Sequence, residues 1–174
     1  TYKGNLDNQT ILGSNRIDCM RMDTQGYIWL QTYDENVFRF NPRTELFEKI
    51  PAPGEAGNGI HISSIKVLPN GHTWLLTHKE GAIRVTTDSL SGQVKTDYYS
   101  PKSGKYPITT VYNLFVSEGN EWILSDNGLG CIPSGQSIPQ FYFRDADREQ
   151  FYVAKEVNDQ LFFGAAQGSM WKYQ

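Results

Sequence analysis

Apolar positions in this chain do not spread evenly. They gather in short β-rich runs, and Gly, Asn, Asp and Pro punctuate the gaps between them. The runs come in groups. The middle run of each group is apolar at consecutive positions, as in Ile28-Trp29-Leu30 and Trp74-Leu75-Leu76. A strand covered on one face alternates apolar and polar residues, whereas a strand covered on both faces does not. The pattern therefore predicts short strands packed between neighbours on either side.

The groups are copies of one another, which points to a repeat architecture. Trp29, Trp74 and Trp122 sit in matching contexts, 45 and 48 residues apart. A degenerate fourth copy places Phe162 in the same position, 40 residues further on. A turn precedes each of these strands: Asp23-Thr24-Gln25-Gly26, Pro69-Asn70-Gly71, Glu118-Gly119-Asn120 and Asn158-Asp159. A second turn follows at Asp34-Glu35-Asn36, Lys79-Glu80-Gly81, Asp126-Asn127-Gly128 and Gln167-Gly168. These residues tolerate the positive φ that tight hairpins require.

The predicted strands of the first copy are 17–22, 27–32 and 37–40; of the second, 62–68, 73–77 and 82–85. Those of the third are 111–116, 121–125 and 129–132, and of the fourth 151–157, 161–164 and 170–173. A weaker fourth run follows in three copies, at 46–50, 93–99 and 139–143. The expectation is an all-β β-propeller made of four consecutive four-stranded antiparallel blades, at about 15–50, 60–100, 108–144 and 150–174, with the last strand of the last blade missing. Trp29, Trp74, Trp122 and Phe162 are the expected structural blade residues. Residues 145–155 are the only helix-like stretch, expected as a short turn or as loop and strand.

Composition narrows the function. The chain has 174 residues, 39% hydrophobic, with 16 basic and 19 acidic side chains for a net charge of −3. No Lys/Arg cluster stands out, so nucleic acid and anionic membranes are poor partners. No apolar run approaches the roughly 20 residues of a membrane helix. Cys19 and Cys131 form no zinc or redox spacing and are expected as buried structural thiols. No cofactor or metal is expected. Asn8-Gln9-Thr10 fits the glycosylation acceptor pattern, one that chance alone produces often.

The first copy runs Asn15-Arg16-Ile17, Asp23, Gly26, Ile28-Trp29-Leu30-Gln31-Thr32, then Val37-Phe38-Arg39-Phe40-Asn41-Pro42. This resembles the two-component regulator propeller repeat. The second copy keeps Gly71, Trp74, Thr77, Gly81 and Arg84 but has Pro69 near the Asp position. The third has Cys131 in place of the Arg, and the fourth lacks the tryptophan. The resemblance implies the periplasmic sensor part of a Bacteroides-type hybrid two-component histidine kinase/response regulator, anchored in the inner membrane. Such sensors commonly detect glycan breakdown products. It also implies a ring of about seven blades. Four repeats fall short of that, so the chain is expected as a segment of a larger propeller, with Thr1-Tyr2-Lys3 as a closing strand the alternative. The remaining blades or a second protomer are the expected protein partners.

Strand direction alternates within a blade. The inter-blade loops and the second-to-third strand loops therefore share one face, where Tyr33, Asp34, Asn36, His61, His78, Lys79, Asp126 and Asn127 are the candidate ligand-binding residues. Aromatic, amide and charged groups on rigidly mounted loops suit an oligosaccharide. His72 is expected at the surface of the opposite face. Arg39 and Arg84, at equivalent positions, are expected to be structural. Two other classes of function stay open. One is a structural or protein-interaction propeller. The other is a sialidase-like or lyase-like enzyme, for which Gly71-His72-Thr73-Trp74 matches only the end of an Asp-box and no carboxylate pair is evident.

Overall fold

The computed structural model describes residues 12, 14, 16–51, 62–88, 90–103, 108–142 and 149–173. They form fifteen strands and two short 3-10 turns, at Pro101–Ser103 and Ala166–Gly168. The first sheet is β1 (Ile17–Met22), β2 (Ile28–Thr32), β3 (Val37–Asn41) and β4 (Leu46–Lys49). The second is β5 (Ile62–Val67), β6 (Thr73–Thr77), β7 (Ala82–Thr87) and β8 (Val94–Tyr99). The third is β9 (Val111–Ser117), β10 (Asn120–Ser125), β11 (Gly128–Ile132) and β12 (Gln140–Tyr142). The fourth is β13 (Phe151–Val157), β14 (Gln160–Ala165) and β15 (Met170–Tyr173). In every sheet the strands pair in chain order. Among the described residues the fourth sheet has three strands rather than four. These are the propeller blades that the repeat predicts. Thr1–Lys3, Asn8-Gln9-Thr10 and residues 145–148 of the predicted helix-like stretch lie outside the described residues; from Phe151 that stretch is strand.

The chain divides into two compact units, Thr1–His78 with Ile83–Tyr98, and Lys79–Ala82 with Tyr99–Gln174. In the first, blade 1 lays Trp29, Val37 and Ile50 against Ile62, Ile65, Leu75, Ile83 and Val85 of blade 2. Trp29 is 1% exposed, and its Nε1 donates to Asp23 Oδ2 at 2.8 Å. The other Asp23 oxygen accepts from the amides of Gln25 and Tyr27, so one carboxylate ties the hairpin turn to the indole. Gln31 Nε2 adds a bond across to the Ile62 carbonyl.

Arg39 is buried at 5% exposure, and it is not idle there. Its guanidinium pairs with Glu48, donates to Thr87 Oγ1 and the Gly92 carbonyl, and lies over the Tyr27 ring. A buried cation so fully engaged joins blade 1 to blade 2 rather than waiting for a ligand. His72 departs from expectation. It is half-buried, and its Nδ1 sits 3.0 Å from Arg84 Nη2. The structural equivalent of Asp23 in blade 2 is Leu68, whose amide and carbonyl make the same turn bonds, to His72 and from Gly71.

In the second unit Trp122, Leu124, Leu129 and Cys131 of blade 3 pack on Phe151, Leu161 and Phe163 of blade 4. No Asp precedes this indole, and Trp122 Nε1 has no hydrogen-bond partner among the described residues. Trp122 also meets Tyr173 at 4.8 Å between ring centroids. Burial pushes the Cys131 thiol up to about 11, which keeps it protonated and inert at neutral pH. Cys19 is half-buried against the core of the first unit. Phe162 corrects a sequence expectation. It occupies the indole position, but the core side chain is Phe163, 1% exposed, while Phe162 is only half-buried. The reason is geometric: Trp29 and Trp122 face the blade that follows them in the chain, so Phe162 faces away from blade 3.

Candidate functional site

The candidate residues of the second-to-third strand loops fall into both units. In the first unit, Thr32 Oγ1 and Asn36 Nδ2 both donate to Asp34, which closes the β2–β3 turn as a small polar knot. Tyr33 is exposed, and the Arg16 guanidinium lies over its ring. His78 is exposed at the end of β6. In the second unit, Lys79 is exposed with φ of 60°. Asp126 is consumed locally: it accepts from the amides of Thr109 and Thr110 and from Thr109 Oγ1. Asn127 is half-buried, its amide on Ser125 Oγ. His61 lies outside the described residues.

Of these, the structure brings Asn36 to a cavity. A cleft of about 420 Å³ in the first unit is lined by Glu35, Asn36, Val37, Lys49, Ile50, Pro51, Ile62 and Leu75. It lies between blades 1 and 2 at the end of the sheets where the candidate loops are. Its floor is aliphatic, from Val37, Ile50, Ile62 and Leu75. Its rim carries one acid, one amide and one ammonium. A mostly apolar concavity with a few convergent polar groups is the usual form of a small-molecule site. The sequence places Glu35 in the second turn of the first copy without singling it out, and gives no sign of Lys49. Glu35 holds a positive φ of 65° that places it on the turn, and Lys49 is the last residue of an edge strand.

A second feature was also missed. Each first strand carries a β-bulge at the same place, one residue after its start: at Asp18, Ser63, Tyr112 and Tyr152. A bulge re-aims its side chain out of the pleat. In the second unit both bulge residues are tyrosines, with ring centroids 4.5 Å apart. Among the described residues no three His, Cys, Asp or Glu side chains gather as a metal site, and no helix is long and apolar enough to cross a membrane.

The sheets and their succession define the class: an all-β chain of propeller blades. Residues 11–34, the first indole-bearing hairpin, match the Two component regulator propeller family. One hairpin of this chain is thus similar to that family's repeat. No curated protein matches it. Among solved structures, the extracellular domain of BT4673 from B. thetaiotaomicron is similar in two determinations, as a one component and as a hybrid two component system. The first has a TM-score of 0.58 and 16% identity over 92% of this chain. The second has 0.58 and 17% over 91%. PorZ, a surface component of the type-IX secretion system of Porphyromonas gingivalis, is similar at 0.59 and 14% over 98%. This chain spans only 21%, 20% and 28% of those chains, respectively. At such identities the likeness is one of fold.

Proposed function

We propose that this chain is a non-catalytic part of an extracytoplasmic sensor propeller of a hybrid two-component regulator, and that it recognises glycan-derived oligosaccharides. The cleft between blades 1 and 2 carries the reading. Its aliphatic floor suits the C–H face of a sugar ring, and Glu35, Asn36 and Lys49 offer acceptors and donors to hydroxyls. The regulator repeat at 11–34 supports the sensor role. The parent protein is periplasmic in this reading and anchored in the inner membrane. Further blades of the same propeller are its nearest partners. Ligand binding changes how blades or protomers pack, and that shift biases a kinase.

Calorimetric titration of the full-length protein with neutral oligosaccharides tests this. The expected result is binding by at least one of them, weakened about tenfold by Asn36→Ala combined with Lys49→Ala, a loss of about 1.4 kcal/mol. No binding, or binding indifferent to these substitutions, overturns the cleft. Product release from the sugar overturns the non-catalytic assignment.

A further inference from the structure

We propose that Tyr112 and Tyr152, with Gln150, form a second saccharide subsite, which stacks the C–H face of a neutral sugar ring. The ligand class rests on the proposed function above; the location does not.

The four bulge positions share one backbone geometry, yet only two hold aromatic residues. Asp18 and Ser63 fill the same slots in the first unit, so the fold itself does not call for a ring there. Tyr112 and Tyr152 are 37% and 40% exposed, a poor place for aromatic carbon unless something covers it. The rings are nonetheless fixed. Both hydroxyls donate to Gln150 Oε1, at 3.3 Å from Tyr112 and 2.5 Å from Tyr152. Asn113 Nδ2 donates to the Tyr152 carbonyl at 3.4 Å, and the Gln150 carbonyl accepts from the Ala166 amide at 2.8 Å. A preorganised aromatic surface loses little entropy on binding.

The chemistry around the rings selects the ligand. With Oε1 taken by the two phenols, the Gln150 amide nitrogen has N–H groups to give, and the phenol oxygens keep lone pairs to accept with. A hydroxyl both donates and accepts, so a polyhydroxylated ring matches both. Desolvation first, then the contact with Tyr152 and the Asp126 charge, hold the Tyr112 phenol above its ordinary value, so that phenol stays protonated through neutral pH. The same Asp126 charge opposes an anionic sugar.

Saturation-transfer NMR on the full-length protein tests the subsite, with maltotriose, xylotriose and chitotriose as probes and a galacturonate trimer as the anionic control. At least one neutral trisaccharide is expected to receive saturation at its ring C–H protons, and the anionic trimer none. The pair Tyr112→Ala and Tyr152→Ala is expected to cut transfer at least fivefold. The pair Tyr112→Phe and Tyr152→Phe, which keeps the rings but loses the hydroxyls, is expected to retain clearly more transfer than the alanine pair. Transfer that survives the alanine pair but is lost with Asn36→Ala and Lys49→Ala overturns this inference and leaves the cleft standing. No transfer to any neutral trisaccharide overturns both.

Discussion

Trp29→Ala is expected to be among the most damaging single changes in the chain. Truncating a fully buried large aromatic costs about 3–5 kcal/mol through lost transfer energy and the cavity left behind. Here the loss is compounded. The indole leaves Asp23 Oδ2 without its buried donor, which adds a penalty of about 1 kcal/mol or more. Trp29 also fills the space between blades 1 and 2, so Ile65, Leu75 and Ile83 lose their facing partner. At roughly 2–4 °C per kcal/mol for a protein of this size, melting should drop by about 10 °C or more. Trp29→Phe keeps a ring but gives up the bond to Asp23, and should fall well short of that loss. Urea denaturation of the three proteins, followed by far-UV circular dichroism, measures the series.

Gly81→Ala is expected to rival it, for a different reason. A Cβ at Gly81 would lie 1.9 Å from the Tyr99 carbonyl oxygen and 2.9 Å from Ser100 Cβ, and the residue holds φ of +94°. The obstruction is backbone, which cannot swing aside as a side chain does. The Gly81 amide also donates to the Thr109 carbonyl at 2.8 Å, so moving the turn breaks a bond. Gly26→Ala is the control. Gly26 has a similar φ of +86°, but nothing lies within 4 Å of its would-be Cβ. That substitution should cost only the left-handed strain of about 1–2 kcal/mol, and Gly81→Ala clearly more. Equal losses in the two would show that the contact with Tyr99 is not tight.

The blades were legible in the sequence because each repeats one physical device. An apolar strand covered on both faces sits between two turns whose Gly, Asn and Asp residues take unusual φ. That combination survives wherever the strand carries its large ring, so Trp29, Trp74 and Trp122 marked three blades outright. The fourth is found by spacing, and Phe162 stands at the indole's place in the register. In Leu161-Phe162-Phe163 both faces of β14 are apolar, and only packing shows that Phe163 meets blade 3.

The site was harder to read. A bulge shifts the alternation by one residue, so Asp18, Ser63, Tyr112 and Tyr152 look like irregularities in a sequence. Their common geometry emerges only when the strand registers are compared. Asp34 and Asp126 are polar loop residues of the kind that suggests ligands, yet each carboxylate serves its own turn or the segment beside it. His72 stands beside an Asn-Gly turn, and nothing local foretells its contact with Arg84, twelve residues away. Asp23 was visible as part of the repeat. Its service to the Trp29 indole depends on the hairpin being folded.

The central claim is that the sheets within each unit pack face to face, with the indole of one blade seated on apolar residues of the next. A nuclear Overhauser spectrum edited on the indole Nε1 protons tests it most directly, with Trp29 assigned by its disappearance in Trp29→Phe. The account predicts that the assigned Trp29 ring protons show cross-peaks to the methyl groups of Ile65, Leu75 and Ile83. Cross-peaks confined to residues of β1 to β4, with none to blade 2, would contradict it.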